Sequence, residues 1–358
     1  MKKSLLAIAV ASALPGIAAA QVTVGGLMDL SYSSLNDGKM TRGYVSNSNR
    51  SSSQLYFRGE ENIGNGLKGI FHIEMGFNPD TGVIGTLSPN SWQNPAPAAN
   101  NAAFARRSVV GAGGNFGSVL LGRDYTPLFS AMGHSSVVGY SYWGSILQTM
   151  NGTGGAAGQD VRWSNMVQYW SPVMNGFQLK GGYSTGASNE NPASSSQGTG
   201  TTLAGTYSAG GLNLGGGWYS KKLEADGTKS DATGIGGNYR MGAFQVAAGM
   251  GTRKDTLNGV TKVDTKMNHV SGAYYFGANK LSYQYVKTDP TGASNTYSSN
   301  MVALEHALSK RTVLYANYAK GTNQANGKFS LFSNGDGIAA AANGADPSAL
   351  AIGIVHNF

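Results

Sequence analysis

Lys68-Gly69-Ile70-Phe71-His72-Ile73-Glu74-Met75-Gly76-Phe77 repeats with a period of two. Phe71, Ile73, Met75 and Phe77 share one face of an extended chain, and His72, Glu74 and Gly76 take the other. The run Lys280 to Lys287 does the same, with Leu281, Tyr283 and Tyr285 on one side and Ser282, Gln284 and Val286 on the other. Segments of about ten residues with this weak alternation are the pattern of a strand that crosses a membrane within a barrel. A half-buried strand of a soluble sandwich alternates in the same way, so periodicity alone leaves both open.

The spacing of the connections separates them. Sixteen candidate strands begin near residues 22, 51, 66, 104, 117, 160, 176, 199, 212, 231, 243, 266, 280, 300, 311 and 348. Short connectors fall at 62–65, 113–116, 171–175, 209–211, 240–242, 276–279 and 309–310. Long ones fall at 35–50, 78–103, 124–159, 188–198, 222–230, 255–265, 289–299 and 321–347. An even strand number with tight turns at one rim and long loops at the other is the layout of a transmembrane barrel. Asn65-Gly66, Asn175-Gly176, Asn258-Gly259 and Asp226-Gly227 suit the positive backbone angles of hairpin turns. The loops 78–103 and 321–347, rich in Asn, Pro, Ala and Gly, read as exposed connectors.

Composition agrees. Only 12% of residues are charged, about half the usual share. Yet no apolar run after Ala20 approaches the ~18 residues of a spanning helix. Met1-Lys2-Lys3, the apolar stretch Leu5 to Leu14 and Ala18-Ala19-Ala20 form the three parts of a secretory leader, expected to be cleaved so that the chain begins at Gln21. Losing Lys2 and Lys3 lowers the formal charge from +8 to +6. An exported chain without cysteine has no disulfides to hold it. No domain boundary is visible between Gln21 and Phe358.

Four segments resemble the trimeric sixteen-stranded general porins of the Gram-negative outer membrane, in their β-proteobacterial branch. They are Gln21-Val22-Thr23-Val24-Gly25-Gly26; Phe57-Arg58-Gly59-Glu60-Glu61-Asn62-Ile63-Gly64-Asn65-Gly66-Leu67-Lys68, running on to Glu74; Phe104-Ala105-Arg106-Arg107 through Phe116-Gly117 to Leu121-Gly122-Arg123; and Ala307-Leu308-Ser309-Lys310-Arg311-Thr312 with Leu314-Tyr315-Ala316. His306 stands where that family usually has Tyr. The resemblance implies an all-β, sixteen-stranded antiparallel barrel that passes small hydrophilic solutes and ions, assembled as a homotrimer. It also implies that Phe358 signals to the barrel-assembly machinery. The last strand should pair with the first, near Val22 to Tyr32, because a barrel in lipid can leave no open edge.

By the same resemblance, the third long loop, 124–159, folds inward and narrows the pore. Asp124 opens it and Asp160 follows it, with no Asp, Glu, Lys or Arg between. The facing wall reads as basic. Arg58 shares the polar parity of Gln54, Tyr56 and Glu60. Of the neighbours Arg106 and Arg107, one should face the lumen and the other lipid or a subunit contact, with Arg107 preferred for the lumen. Arg123 ends one strand, Arg162 starts the next, and Glu74 is a partner for a wall arginine. Lys68 is a weaker candidate near the lower rim. Guanidiniums stay charged at any relevant pH and select anions when they line a pore. The expectation is therefore an anion-preferring diffusion pore. The alternative is a substrate-specific channel for a sugar or an organic or aromatic acid, using Tyr125, Phe129, Tyr140, Tyr142 and Trp143 as a stacking track. Those rings packing the loop against the wall is the reading preferred over a track.

Catalysis is not expected. His134 beside Ser135 lacks an acidic partner nearby in sequence, so no nucleophile, base and orienting group can be named together. Scattered histidines and no cysteine give no metal or cofactor site. Gly111-Ala112-Gly113-Gly114 is a hairpin turn rather than a nucleotide loop, because no helix follows it. The basic residues do not cluster, which argues against nucleic acid and for lipopolysaccharide phosphates and outer-membrane lipid as the surface partners.

Overall fold

The computed structural model describes residues 21–84, 103–146, 161–186, 198–222, 228–291 and 295–358. The expected leader 1–20, the turn Asp226-Gly227 and the stretch 147–159 of the third loop lie outside the described residues. Within them the chain forms sixteen barrel strands, some longer than the alternation suggested. These are β1 (Gln21–Asn36), β2 (Thr41–Asn47 and Gln54–Gly64), β3 (Leu67–Asn78), β4 (Arg107–Gly114), β5 (Gly117–Tyr125), β6 (Arg162–Trp170), β7 (Phe177–Thr185) and β8 (Thr199–Ala209). They continue as β9 (Leu212–Lys222), β10 (Thr228–Met241), β11 (Phe244–Leu257), β12 (Val260–Phe276), β13 (Asn279–Pro290), β14 (Tyr297–Ala307), β15 (Thr312–Asn323) and β16 (Ser348–Asn357). Each pairs antiparallel with its neighbours, and β16 closes the ring between β15 and β1.

Closure is shifted from the expected register. β16 meets Leu27–Asn36 of β1, while Gln21–Leu27 pairs with Gln54–Glu60 of β2. The first strand thus serves two partners along its length, as a staggered barrel requires. The seven short connectors fall where expected. Asn65-Gly66 and Asn175-Gly176 both hold positive φ at their two central residues, the requirement of a type I′ hairpin. Two of the expected long loops are corrected. The stretch 255–265 is a two-residue turn at Asn258-Gly259, because that pair also holds positive φ and lets β11 and β12 run on. The stretch 35–50 is a turn at 37–40, where the Asp37 carboxylate accepts the backbone N–H groups of Lys39 and Met40.

The two faces of the wall are inverted relative to a soluble protein. On β12, Val270 and Tyr274 are exposed outside while His269, Ser271 and Ala273 are buried inside. On β13, exposed Leu281 and Tyr283 alternate with buried Ser282 and Gln284. An apolar side chain of this size left in water forgoes about 1.5–3 kcal/mol, so a soluble sandwich would place these residues inward. The outer face is therefore a lipid face. No helix among the described residues is long and apolar enough to cross a membrane; the crossing falls to the strands.

The third loop runs along the inner, polar face. Pro127 starts α1 (Pro127–Met132), and the Thr126 hydroxyl caps it by accepting the Phe129 N–H at 3.2 Å. Beyond it, wall side chains take the loop's backbone groups. Asn238 donates to the His134 carbonyl at 2.7 Å, Ser271 accepts from Val137 N at 3.1 Å, and Asn317 accepts from Trp143 N at 3.1 Å. Glycines admit it closely: a Cβ on Gly215 would fall on the Ala131 carbonyl oxygen, and one on Gly236 on the Ser135 side chain.

The last loop corrects a further expectation. It is no exposed connector at its centre, because Leu331 is fully buried and Phe332 nearly so. The Phe332 carbonyl accepts from Gly144 N at 3.0 Å, so the two inward loops meet. The Tyr44 hydroxyl donates to Asp336 at 3.0 Å. Burial, with the Asp80 charge adding to it, pushes the Asp336 carboxyl up from 3.8 to about 6. A group whose docked pKa is raised favours docking fully below its free value and loses that contribution as pH rises through the docked one. Amide exchange in 331–338, corrected for intrinsic rates, should therefore be slower at pH 5 than at pH 8. Asp336→Asn should abolish the difference. Equal protection at both pH values in the parent protein would refute this.

Candidate functional site

The lumen wall opposite the third loop carries the charged side chains. Strand parity places Glu74 inward on β3, beside Arg107 on β4 in the ladder. Both neighbouring arginines turn to that side, which corrects the expectation that one of them faces lipid. Arg106 precedes the strand, so alternation does not govern it. Its Nε donates to Glu74 at 2.5 Å and its Nη2 to the Tyr125 hydroxyl at 2.7 Å. Arg107 donates to Asp124 at 2.7 Å and lies 3.2 Å from His72 Nδ1. Arg162, on β6, also donates to the Tyr125 hydroxyl at 2.7 Å and lies 4.2 Å above that ring. Two guanidiniums thus share one phenol oxygen, with the Glu74 carboxylate compensating beside them.

Arg123 is placed differently. It sits in a bulge between β5 and β6, where the register slips between Gly122 and Asp124. Its guanidinium is taken up by the Ala105 carbonyl at 2.6 Å and the Ser164 hydroxyl at 2.8 Å. The geometry makes it a brace at the loop's root. Arg58 is exposed on the inner side of β2, 5.3 Å over the Tyr56 ring. With Lys68, His72, Arg107 and Trp170 it lines a cleft of about 680 Å³. Lys68 pairs with Glu60 at 2.9 Å.

Further cations project inward that were not among the residues expected to line the lumen. Lys180 on β7 lies 4.3 Å over Trp170, and Arg240 on β10 lies 3.9 Å over Tyr275. Lys280 on β13 and Arg50, between the two parts of β2, both reach Glu305, at 3.6 and 2.7 Å. A signal existed for three of them: Lys180, Arg240 and Lys280 each lie on the polar parity of an alternating strand. Arg50 lies outside any strand and gave none. His134, on the third loop, adds no charge at neutral pH, because burial and the nearby Lys180 hold its imidazole below the usual range.

The loop aromatics are engaged with one another. Phe129 stacks with Tyr140 at 4.1 Å and with Tyr125 at 5.5 Å, while Tyr142 and Trp143 are fully buried. Their faces are spent on packing, which disfavours a stacking track for solutes. His269, rather than His134, approaches Ser135, at 2.8 Å from its hydroxyl and 3.0 Å from its carbonyl. That carbonyl can only accept, so Nε2 carries the proton. Nδ1 is buried and has no hydrogen-bond partner among the described residues. A base lacking an orienting acceptor, beside a hydroxyl that already donates to the Met132 carbonyl, ties a loop to a wall rather than activating a nucleophile.

A closed antiparallel cylinder, apolar outside and charged within, defines a transmembrane channel. Residues 7–326 match the family model described as Gram-negative porin. The chain belongs to that family, and it is an outer-membrane β-barrel forming a water-filled diffusion channel. It is 29% identical to outer membrane porin protein 32 of Delftia acidovorans over the full length of both chains. An anion-selective porin from Comamonas acidovorans shares the fold with a TM-score of 0.78 at 22% identity, over 95% of this chain and 100% of that one. OmpT of Vibrio cholerae, in a trimer form, gives 0.66 at 16% identity, over 95% and 100%.

Glu74 and Arg106 are both largely buried, and removing one member of such a pair costs about 3–5 kcal/mol. Glu74→Gln should therefore lower the temperature at which the detergent-solubilised protein loses its β-sheet circular dichroism. The double variant Glu74→Gln/Arg106→Gln should recover part of that loss. An unchanged melting temperature in the single variant would count against the pairing.

Proposed function

We propose that the pore prefers small anions over cations, and that its constriction lies between the loop stretch Thr126–Ile146 and the wall bearing Arg106, Arg107 and Arg162. One observation carries the reading. Arg58, Lys180 and Arg240 face the lumen with no carboxylate in ion-pair contact among the described residues, whereas Glu60, Glu74, Asp124 and Glu305 are each matched by a cation. A guanidinium about 8 Å from a passing anion contributes about 2 kcal/mol at an effective dielectric near 20. Screening over ~8 Å at physiological salt removes most of this. The result is a preference, with cations still admitted. The Comamonas porin that shares the fold is anion-selective, which supports the same direction.

The chain assembles as a homotrimer in this reading, as the trimer form of the Vibrio protein suggests. Lipopolysaccharide phosphates meet lysines above the apolar band, and the exposed Phe358 serves the barrel-assembly machinery. Reversal potentials across a KCl gradient in planar bilayers test the selectivity. The parent protein should favour chloride, and the triple variant Arg58→Ala/Lys180→Ala/Arg240→Ala should lose most of that bias. A potassium preference in the parent protein would overturn the reading.

A further inference from the structure

β2 is broken at 48–53, where Ser48-Asn49-Arg50-Ser51-Ser52-Ser53 leaves the ladder. The break is wound around one side chain of the neighbouring strand. Asp29, fully buried on β1, accepts the backbone N–H groups of Arg50 and Ser51 on Oδ2, both at 2.6 Å. Its Oδ1 accepts the Tyr315 hydroxyl at 2.7 Å. Its own N–H donates to the Ser53 hydroxyl at 3.0 Å, and its carbonyl accepts from Ser48 N at 2.9 Å. Ser53 N donates to the Ser48 hydroxyl at 2.9 Å, closing the excursion, and Ser48 adopts a φ of 55° at its start. A carboxylate thus stands in for the missing strand partner, and charge-assisted bonds to backbone N–H are among the stronger hydrogen bonds available.

What the excursion holds is the centre of the pore. The Asn49 carbonyl accepts from Tyr142 N, of the third loop, at 2.8 Å. The Arg50 carbonyl accepts from Asn334, on the last loop, at 3.0 Å. The Arg50 guanidinium reaches across to Glu305 through Nη2 at 2.7 Å and Nε at 3.1 Å. Both inward loops and one lumen cation therefore hang on a backbone segment whose shape is fixed by a residue that touches no solute.

We propose that Asp29 is the positioning residue of the pore, setting ion selectivity through Arg50. It rests on the lumen charges being selective, but not on which sign they select. The test is a double-variant cycle in planar bilayers. Arg50→Ala should lower the anion-to-cation permeability ratio about twofold. Asp29→Leu removes both acceptors at similar size and leaves the Arg50 and Ser51 N–H groups unpaired. It should lower the ratio by a comparable factor and add nothing in the Arg50→Ala background. Tyr315→Phe, which spares the Oδ2 clamp, should leave the ratio near that of the parent. An unchanged ratio in Asp29→Leu, or an equal shift with and without Arg50, would overturn the proposal. If Asp29→Leu does not assemble, amide exchange of 49–53 in the parent protein decides: strand-like protection upholds the clamp, and loop-like exchange refutes it. A cation-selective parent would sink the anion reading alone and leave this cycle readable.

Discussion

Hydrocarbon offers no hydrogen bonds, so every backbone N–H and C=O that crosses the membrane must find its partner within the wall. That constraint makes the pairing of β16 with β1 the condition for the rest of the molecule. It also fixes the side-chain logic. With the ring closed, one parity of each strand meets lipid and the other meets the lumen, and period-two alternation becomes a map of inside and outside.

Inversion of the usual core follows. The apolar packing that stabilises a soluble protein is here divided between lipid outside and a compact cluster within the lumen. Val137, Val138, Tyr142 and Trp143 of the third loop pack with Met301, Ala319 and Leu331. Small inward residues such as Ala303, Ala349 and Ala351 leave room for them. The loop thus lies along β8 to β15, opposite the wall of β2 to β7. That wall carries Arg58, Arg107, Lys180 and the Tyr125-centred pair of guanidiniums.

The fold was legible in the sequence because its determinant is local. Alternation and Asn-Gly turns are properties of a few adjacent residues, and they located the strands and the tight rim. Parity also assigned Arg58 and Glu74 to the inner face. It failed where a residue is not in regular strand: Arg106 precedes β4, Arg123 sits in a bulge, and Arg50 lies in a break. The burial of Leu331 was hidden for another reason. A polar, glycine-rich loop reads as exposed unless its docking partners are known, and those partners, Gly144 and Tyr44, lie far away in the chain.

The arrangement of the arginines follows from electrostatics. Bare guanidiniums crowded on one wall would repel, and burying them unpaired would cost more than the barrel gains. Glu74, Asp124 and Glu305 offset that cost for Arg106, Arg107 and Arg50, and Tyr125 accepts from two cations at once. Pairing removes the self-energy but leaves fixed dipoles, while Arg58, Lys180 and Arg240 have no carboxylate in ion-pair contact among the described residues. Those three lie over aromatic rings, Tyr56, Trp170 and Tyr275, which hold a cation in place without neutralising it. A wet pore can thus keep a positive field on a rigid wall, because the groups that orient its cations are not the groups that would cancel them.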